Sequence, residues 1–572
     1  MHPFRILVLL ILLLPAAVCS YGQKKVTLSG YIRDAASGEA LIAANVYIRE
    51  LQQGAQTNYY GFYSVSAPQG IYHVVFTYVG YENIEQEMNL VESRTFDAEL
   101  QPKGKLQEVE VRSTRDDENV KTTEMGTVSL SMDKIRTLPV IFGEVDVLKA
   151  LQLMPGVQSS GEGNSGFYVR GGGPDQNLVL LDDAVVYNPG HLFGFFSVFN
   201  SDAVKNITLI KGSMPANYGG RLSSVVDVSM KEGNNKEFHA AGGIGLIASR
   251  LTIEGPIEKH KGSFVLSGRR TYIDLLVKPF AKGTNFEGSG YYFYDANLKA
   301  NFAFNKKDRL YLSGYFGRDK FTFKSSVSSF NADIPWGNST ATLRWNHLFS
   351  DRLFMNASVI YNDYNFSFGG SQSDFELKLS SGIRDYSSKV DFDYYSSFNH
   401  HFKAGVNYTY HKFIPNQISG RTGDTELKPN NDLIKYGHEA GVYLLDDFDL
   451  APWLRVNAGI RYSLFAQTGP YKRYFYDLND IKTDSSYYGG GTVVKSYGGP
   501  EPRINLRFQL NSKSSIKASA VKSYQYIHLI TNNGSTLPTD LWVPSTFRVR
   551  PQEAVQYSLG YFRNFLDNVV EG

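Results

Sequence analysis

Strict period-two alternation over the second half of the chain limits that half to sheet. In "LRVNAGIRYSL", Leu454, Val456, Ala458, Ile460, Tyr462 and Leu464 face one way, while Arg455, Asn457, Gly459, Arg461 and Ser463 face the other. The runs "HFKAGVNYTYH" and "RINLRFQL" repeat the pattern. Successive strand side chains point to opposite faces, so each segment carries one apolar and one polar face. Soluble sandwiches also alternate, and the connections decide between the two. Short turns at 305–308, 350–351, 399–400, 451–452 and 511–514 alternate with long loops near 275–289, 323–337, 414–436, 467–498 and 528–549. Short turns at one end and long loops at the other are the pattern of an outer-membrane barrel, apolar toward lipid and polar inside. Residues 235–572 are therefore predicted to form an antiparallel transmembrane β-barrel wall of roughly thirteen strands.

The N-terminus supports export. Arg5 precedes an apolar core, Ile6 to Leu14, too short to span a bilayer, and then Pro15 and small residues. Residues 1–22 read as a signal peptide, cleaved between Ser20 and Gly22. Cys19 is the one Cys, and it has two readings: a lipid anchor, or part of the discarded leader, which Val18 before it favours. Lys+Arg 58 against Asp+Glu 56 leaves +2 with no basic block, which argues against nucleic acid as a partner.

Residues 23–103 alternate short strand-like words with turns at Gln53-Gly54 and Gln69-Gly70, the spacing of a β-sandwich. "SGYIRDAASGEALIAANVYI", "GFYSVSAPQGIYHVVFTYVGY" and "FDAELQP" resemble the carboxypeptidase regulatory-like domain, which is a non-catalytic transthyretin/Ig-like sandwich. His73 stands in an alternating strand without zinc-ligand neighbours and reads as a surface or packing residue.

A polar stretch, 104–124, follows and contains one β-prone word, Leu106-Gln107-Glu108-Val109-Glu110-Val111. An extended peptide of this kind can add to the exposed edge of a partner's sheet. Beyond it, Val145, Leu148, Leu151 and Leu153-Met154 give a helix-like apolar face stopped by Pro155-Gly156. "YVRGGGPDQNLVLLDD" could be taken for a phosphate cradle. No Gly-Lys-Ser/Thr follows its glycines, and the next run, Leu178 to Leu181, is β-prone rather than helical.

The succession "VRGGG…VLLDDAVVYN…VKNITLIKGSMPANYGGRLSSVVDVSMK" resembles the plug domain of TonB-dependent outer-membrane receptors. The matching positions are Arg170, Gly171, Gly172, Asp182, Asp183, Lys211, Gly212, Tyr218, Gly219 and Arg221, within an α+β plug at 125–234. Arg170, Asp182 and Asp183 are expected to form ion pairs within the plug or to the barrel wall. The resemblance implies that Leu106 to Val111 is the TonB box and that the sandwich is periplasmic. It also implies ligand import across the outer membrane of a Gram-negative bacterium, powered through TonB by ExbB/ExbD. Members of the family close with about 22 strands, so this wall, ending at Gly572, looks like the first part of a longer one.

Candidate ligand contacts are Tyr187, His191 and Phe193 in the plug and Tyr471, Tyr474, Tyr476, Tyr487 and Tyr488 in a wall loop. Siderophore, cobalamin, glycan and peptide are the ligand classes left open, with a surface lipoprotein as a further partner. His191 lacks a nearby second ligand, and neither a metal nor a cofactor is expected. No nucleophile elbow or zinc motif points to an enzyme. The competing reading is a signalling transducer that reports ligand occupancy to a periplasmic anti-sigma partner.

Overall fold

The computed structural model describes residues 25–103, 118–138, 144–161, 166–325, 327–397, 399–531, 537–565 and 570–571. The leader with Cys19 and the segment Leu106 to Val111 lie outside the described residues.

The N-terminal sandwich packs two sheets. One places Phe62–Pro68 beside Lys25–Asp34, which also pairs with Arg94–Thr95 and Ala98–Leu100; the other orders Gln53–Gln56, Asn45–Ile48, Gly70–Thr77 and Ile84–Leu90. Val26, Leu28, Val46, Tyr63, Val74 and Phe76 fill the space between. Two expected details change. Gln53-Gly54 lies inside a strand, and the turn precedes it, with Gln52 at φ 50°. "TNYYGFYSVSAP" is not one strand. Asn58 Oδ1 accepts the Tyr60 and Phe62 amides at 2.9 and 3.1 Å, Gly61 sits at φ 75°, and the strand begins only at Phe62. His73 pairs on the surface with Glu50 at 2.6 Å.

The plug is built on a five-stranded sheet in the order Ala184–Val185, Asn177–Leu181, Ser224–Met230, Val204–Lys211, Thr127–Ser131. The helix Val147–Gln152 covers one face, and the Asp146 side chain caps it by accepting the Lys149 amide at 3.0 Å. Val147, Leu148, Leu151, Phe199, Ile207, Leu209, Val226 and Val228 form the interior. Leu153 falls outside the expected apolar face: the helix stops at Gln152 and Leu153 is exposed. After the three glycines, Pro174–Gln176 makes a single 3-10 turn before the strand Asn177–Leu181.

Among the described residues the wall is a sixteen-stranded antiparallel sheet, of which Thr425–Leu427 and Val570–Glu571 are very short, leaving fourteen strands from His239–Ile244 to Gln552–Phe565. The expected wall of roughly thirteen antiparallel strands is present. Its burial is inverted relative to a soluble sheet. Val359, Val406, Ile460 and Tyr462 are each about half exposed or more, while Arg344, Asn356, Asn362, Arg461 and Ser463 are buried. Lipid is the solvent such an outer face requires. Among the described residues no helix is long and apolar enough to cross a membrane.

The long loops are less irregular than expected. Asp308–Ser325 and Phe330–Ser350 run through 323–337 as paired strands, and His400–Thr422 continues well into 414–436. The 467–498 loop holds the hairpin Tyr471–Tyr476/Lys482–Tyr488, and Ile527–Ile530 pairs with Leu541–Pro544 in the last loop. Continuing the ladder satisfies backbone groups that a bare loop would leave to water.

Candidate functional site

Plug and wall meet through charges as well as through aromatic clusters such as Phe196 with Phe293 and Trp336. Asp182 and Asp183 form the two-residue turn between Asn177–Leu181 and Ala184–Val185, with Leu181 opposite Ala184 and both aspartates at positive φ, 47° and 71°. That turn requires the left-handed region twice, which aspartate tolerates because its short side chain can bond locally. The turn carries both carboxylates to the wall. Asp182 lies 3.0 Å from Lys299 Nζ; Asp183 lies 2.7 Å from Arg344 Nη2 and 3.3 Å from Lys389 Nζ. Burial opposes charge on Asp183, yet Lys389 and Arg344 hold its carboxyl well below the usual range. Among the described residues Asp227, on the neighbouring plug strand, has no cation within 4.0 Å. Burial, with Asp183 nearby, pushes it up to about 6, although the Tyr218 hydroxyl donates to it at 2.9 Å.

Two further contacts pin the plug loop 187–193. Tyr187 donates a short hydrogen bond to Asp385, whose other oxygen lies 2.7 Å from His411 Nδ1. His191, only 1% exposed, stacks on Phe293 at 4.1 Å with Nδ1 2.6 Å from Asp319 and Nε2 3.4 Å from Asp295. Burial alone would lower its pKa, but the two carboxylates outweigh burial and raise it. Tyr187 and His191 are therefore enclosed against the wall, whereas Phe193 is more exposed and lies near Trp336, 4.7 Å between rings.

The remaining motif residues shape close approaches. Gly212 has φ 84°, and a Cβ there would meet Arg170 Nη1 at 2.1 Å; one on Gly219 would meet Arg461 Nε at 2.4 Å. Lys211 Nζ donates to the Pro155 carbonyl at 2.7 Å. Arg170 does not pair with Asp182 or Asp183; it reaches Ser558 Oγ of the wall at 3.4 Å. Arg221 covers the Trp542 ring, which in turn meets Tyr187 edge-on at 5.0 Å. Gly171, at φ 82°, and Gly172 form the turn after Arg170.

At the opposite end of the wall from the sandwich, the tyrosines of the hairpin sit among cations. Lys472 and Lys482 lie over Tyr474, Arg548 over Tyr476, and Arg473 over both Phe475 and Phe547, the last at 3.7 Å. Lys495 lies over Phe547 and Tyr497. Among the described residues none of these five cations makes an ion pair within 4.0 Å. Tyr471 faces Tyr488 across the hairpin, beside the exposed Tyr487. Phe547 and the cations were not singled out in sequence; for Lys472 and Arg473 their place among the tyrosines of "YKRYFY" was the available signal.

Three family profiles match the chain in order: "CarboxypepD_reg-like domain" over 28–111, "TonB-dependent Receptor Plug Domain" over 123–226 and "TonB dependent receptor-like, beta-barrel" over 272–569. Similar solved structures include the copper transporter OprC, with TM-score 0.55, 12% identity, and 77% of this chain and 71% of that one covered. A ferric enterobactin receptor mutant from Pseudomonas aeruginosa gives 0.53, 14%, 79% and 71%. The ferric yersiniabactin uptake receptor FyuA from Yersinia pestis gives 0.51, 12%, 77% and 70%. At these identities the likeness is one of fold.

Proposed function

The chain belongs to the TonB-dependent receptors, and from that premise we propose that it imports a scarce ligand across the outer membrane, energised by TonB at Leu106 to Val111. The observation that carries this reading is how the plug is attached: an apolar body held to the wall by desolvated ion pairs at Asp182 and Asp183. Such pairs contribute little net stability against an apolar contact, but each fails when one partner moves. A stopper attached in this way can be shifted without unfolding.

Lys103 ends the described sandwich, and Glu118–Lys121 begins the next described segment, with Asn119 Nδ2 donating to Asn564 Oδ1 at 3.2 Å. Both flanks of the box thus lie at the short-turn end, the end a periplasmic partner would reach. Among siderophore, cobalamin, glycan and peptide, the aromatic-backed cations at 472–495 and 548 favour an anionic ligand such as a siderophore chelate. Deleting residues 106–111 tests the reading. Uptake of a ferric siderophore should be lost while its binding to whole cells is retained; unchanged uptake overturns it. Growth of a deletion strain on single iron, vitamin or glycan sources identifies the class.

A further inference from the structure

We propose that the N-terminal sandwich is a door on the periplasmic side of the plug, and that its Asn58–Phe62 turn closes the seam through which ligand leaves; this rests on the import reading. The turn directs aromatic rings out of the sandwich. Phe62 opens a sandwich strand, yet its ring packs on the wall, 5.5 Å from Phe354 and 6.0 Å from Tyr395. Tyr60 stacks on Phe354 at 5.4 Å and lies under the Arg344 guanidinium at 5.5 Å. Arg344 is the same residue that holds Asp183 of the plug.

Behind these rings lies a cavity of about 100 Å³ lined by Tyr59, Tyr60, Asp183, Asp227 and Asn356 among others. It shares Asp183, Asn217, Tyr218 and Lys389 with a second cavity of about 130 Å³, which follows the plug to Tyr187 and His411. The two make one polar seam between plug and wall. Tyr187 against Trp542 marks its far end, and the sandwich rings form its floor.

The rim of the door is polar and touches both wall and plug. Arg352 Nε donates to Thr27 Oγ1 at 2.6 Å on the wall side. On the plug side Lys205 Nζ donates to the Ala40 carbonyl at 2.5 Å, and Glu39 accepts the Glu232 and Gly233 amides at 2.6 and 2.9 Å. A plug displacement that separates Asp183 from Arg344 also carries Lys205 away from the sandwich, so the seam and its door open in one event. Stacked rings exclude water well but make few directional bonds, which suits a contact that must re-form after each release.

The test needs neither ligand nor TonB, so its outcome is separate from that of the import reading. Asn356→Cys places a thiol in the cavity of the full-length receptor, and its labelling rate with a sulfonated maleimide reports access. Tyr60→Ala with Phe62→Ala should raise that rate at least tenfold, and Tyr60→Phe, which keeps the stack, should leave it slow. Arg352→Ala, which spares the sandwich core, should raise it severalfold and serves where the double variant folds poorly. Equal rates in the parent, Arg352→Ala and double-alanine proteins overturn the proposal.

Discussion

The plug's interior and its rim are written into the same strands yet obey different physics. In Ser224–Met230, Val226 and Val228 enter the apolar interior, while Asp227 between them faces the seam. Each interior side chain contributes roughly 1.5–3 kcal/mol through water exclusion, whatever its orientation to neighbours. The rim depends on paired charges and loses its hold when a pair is halved. A body cohesive inside and conditional at its edge can move as a unit.

Halving the rim should have the largest effect. Asp183→Ala leaves Arg344 without a carboxylate, while Lys389 keeps Asp391 at 3.0 Å, and should cost about 3–5 kcal/mol of plug seating, read as denaturant-dependent protease access to the plug. Adding Arg344→Met, which removes the stranded guanidinium and leaves Lys389 paired with Asp391, should recover most of it; no recovery would mean that packing, not charge, seats the plug. Leu209→Ala attacks the interior instead and should cost about 3 kcal/mol, with the plug's own cooperative melting lowered. If the two variants gave the same cleavage pattern, the distinction between body and edge would fail.

Asp227 sharpens the contrast. Its carboxyl is held at about 6, above the ordinary carboxylate value, so the folded plug favours the proton. The stabilising contribution is full below the unfolded pKa and is lost as pH rises through about 6, roughly 3 kcal/mol in all. Plug melting should therefore drop as pH rises from about 4 to about 6, and Asp227→Asn should flatten that slope; a parallel slope in the variant would assign the effect elsewhere. The smallest change should come from Glu85→Ala, which breaks the exposed Arg49–Glu85 pair and should shift thermal melting of the sandwich by at most about 0.5 kcal/mol. A larger loss there would deny that burial is what makes the rim pairs matter.

Much of this was readable in the residues. Alternation assigned Ile460 and Tyr462 to lipid and Arg461 and Ser463 to the lumen, and the Leu-Asp-Asp word marked Asp182 and Asp183 as ion-pair formers, which they are at the wall. What alternation lacks is partner identity. Arg344 is legible as lumen-facing, but its pairing with a residue 161 positions earlier depends on how the wall curls around the plug. Phe465 shows the limit of polarity rules: it follows Ser463 on the inner face, fully buried, because it stacks on Tyr526 of the lumen at 5.5 Å. The aromatic turn at 58–62 was hidden because Tyr-Tyr-Gly-Phe-Tyr has high strand propensity, and only Asn58 and Gly61 betray the break.

Lys299, Arg344 and Lys389 sit on alternate wall strands, and all three reach the single Asp182-Asp183 turn. A slip of one residue in any of those strands would turn its cation toward lipid. A slip of two would carry it roughly 7 Å along the wall, out of reach of the carboxylates. The stopper is therefore also a ruler: three strands are in register only when their cations converge on one turn, and the wall is proofread by what it encloses.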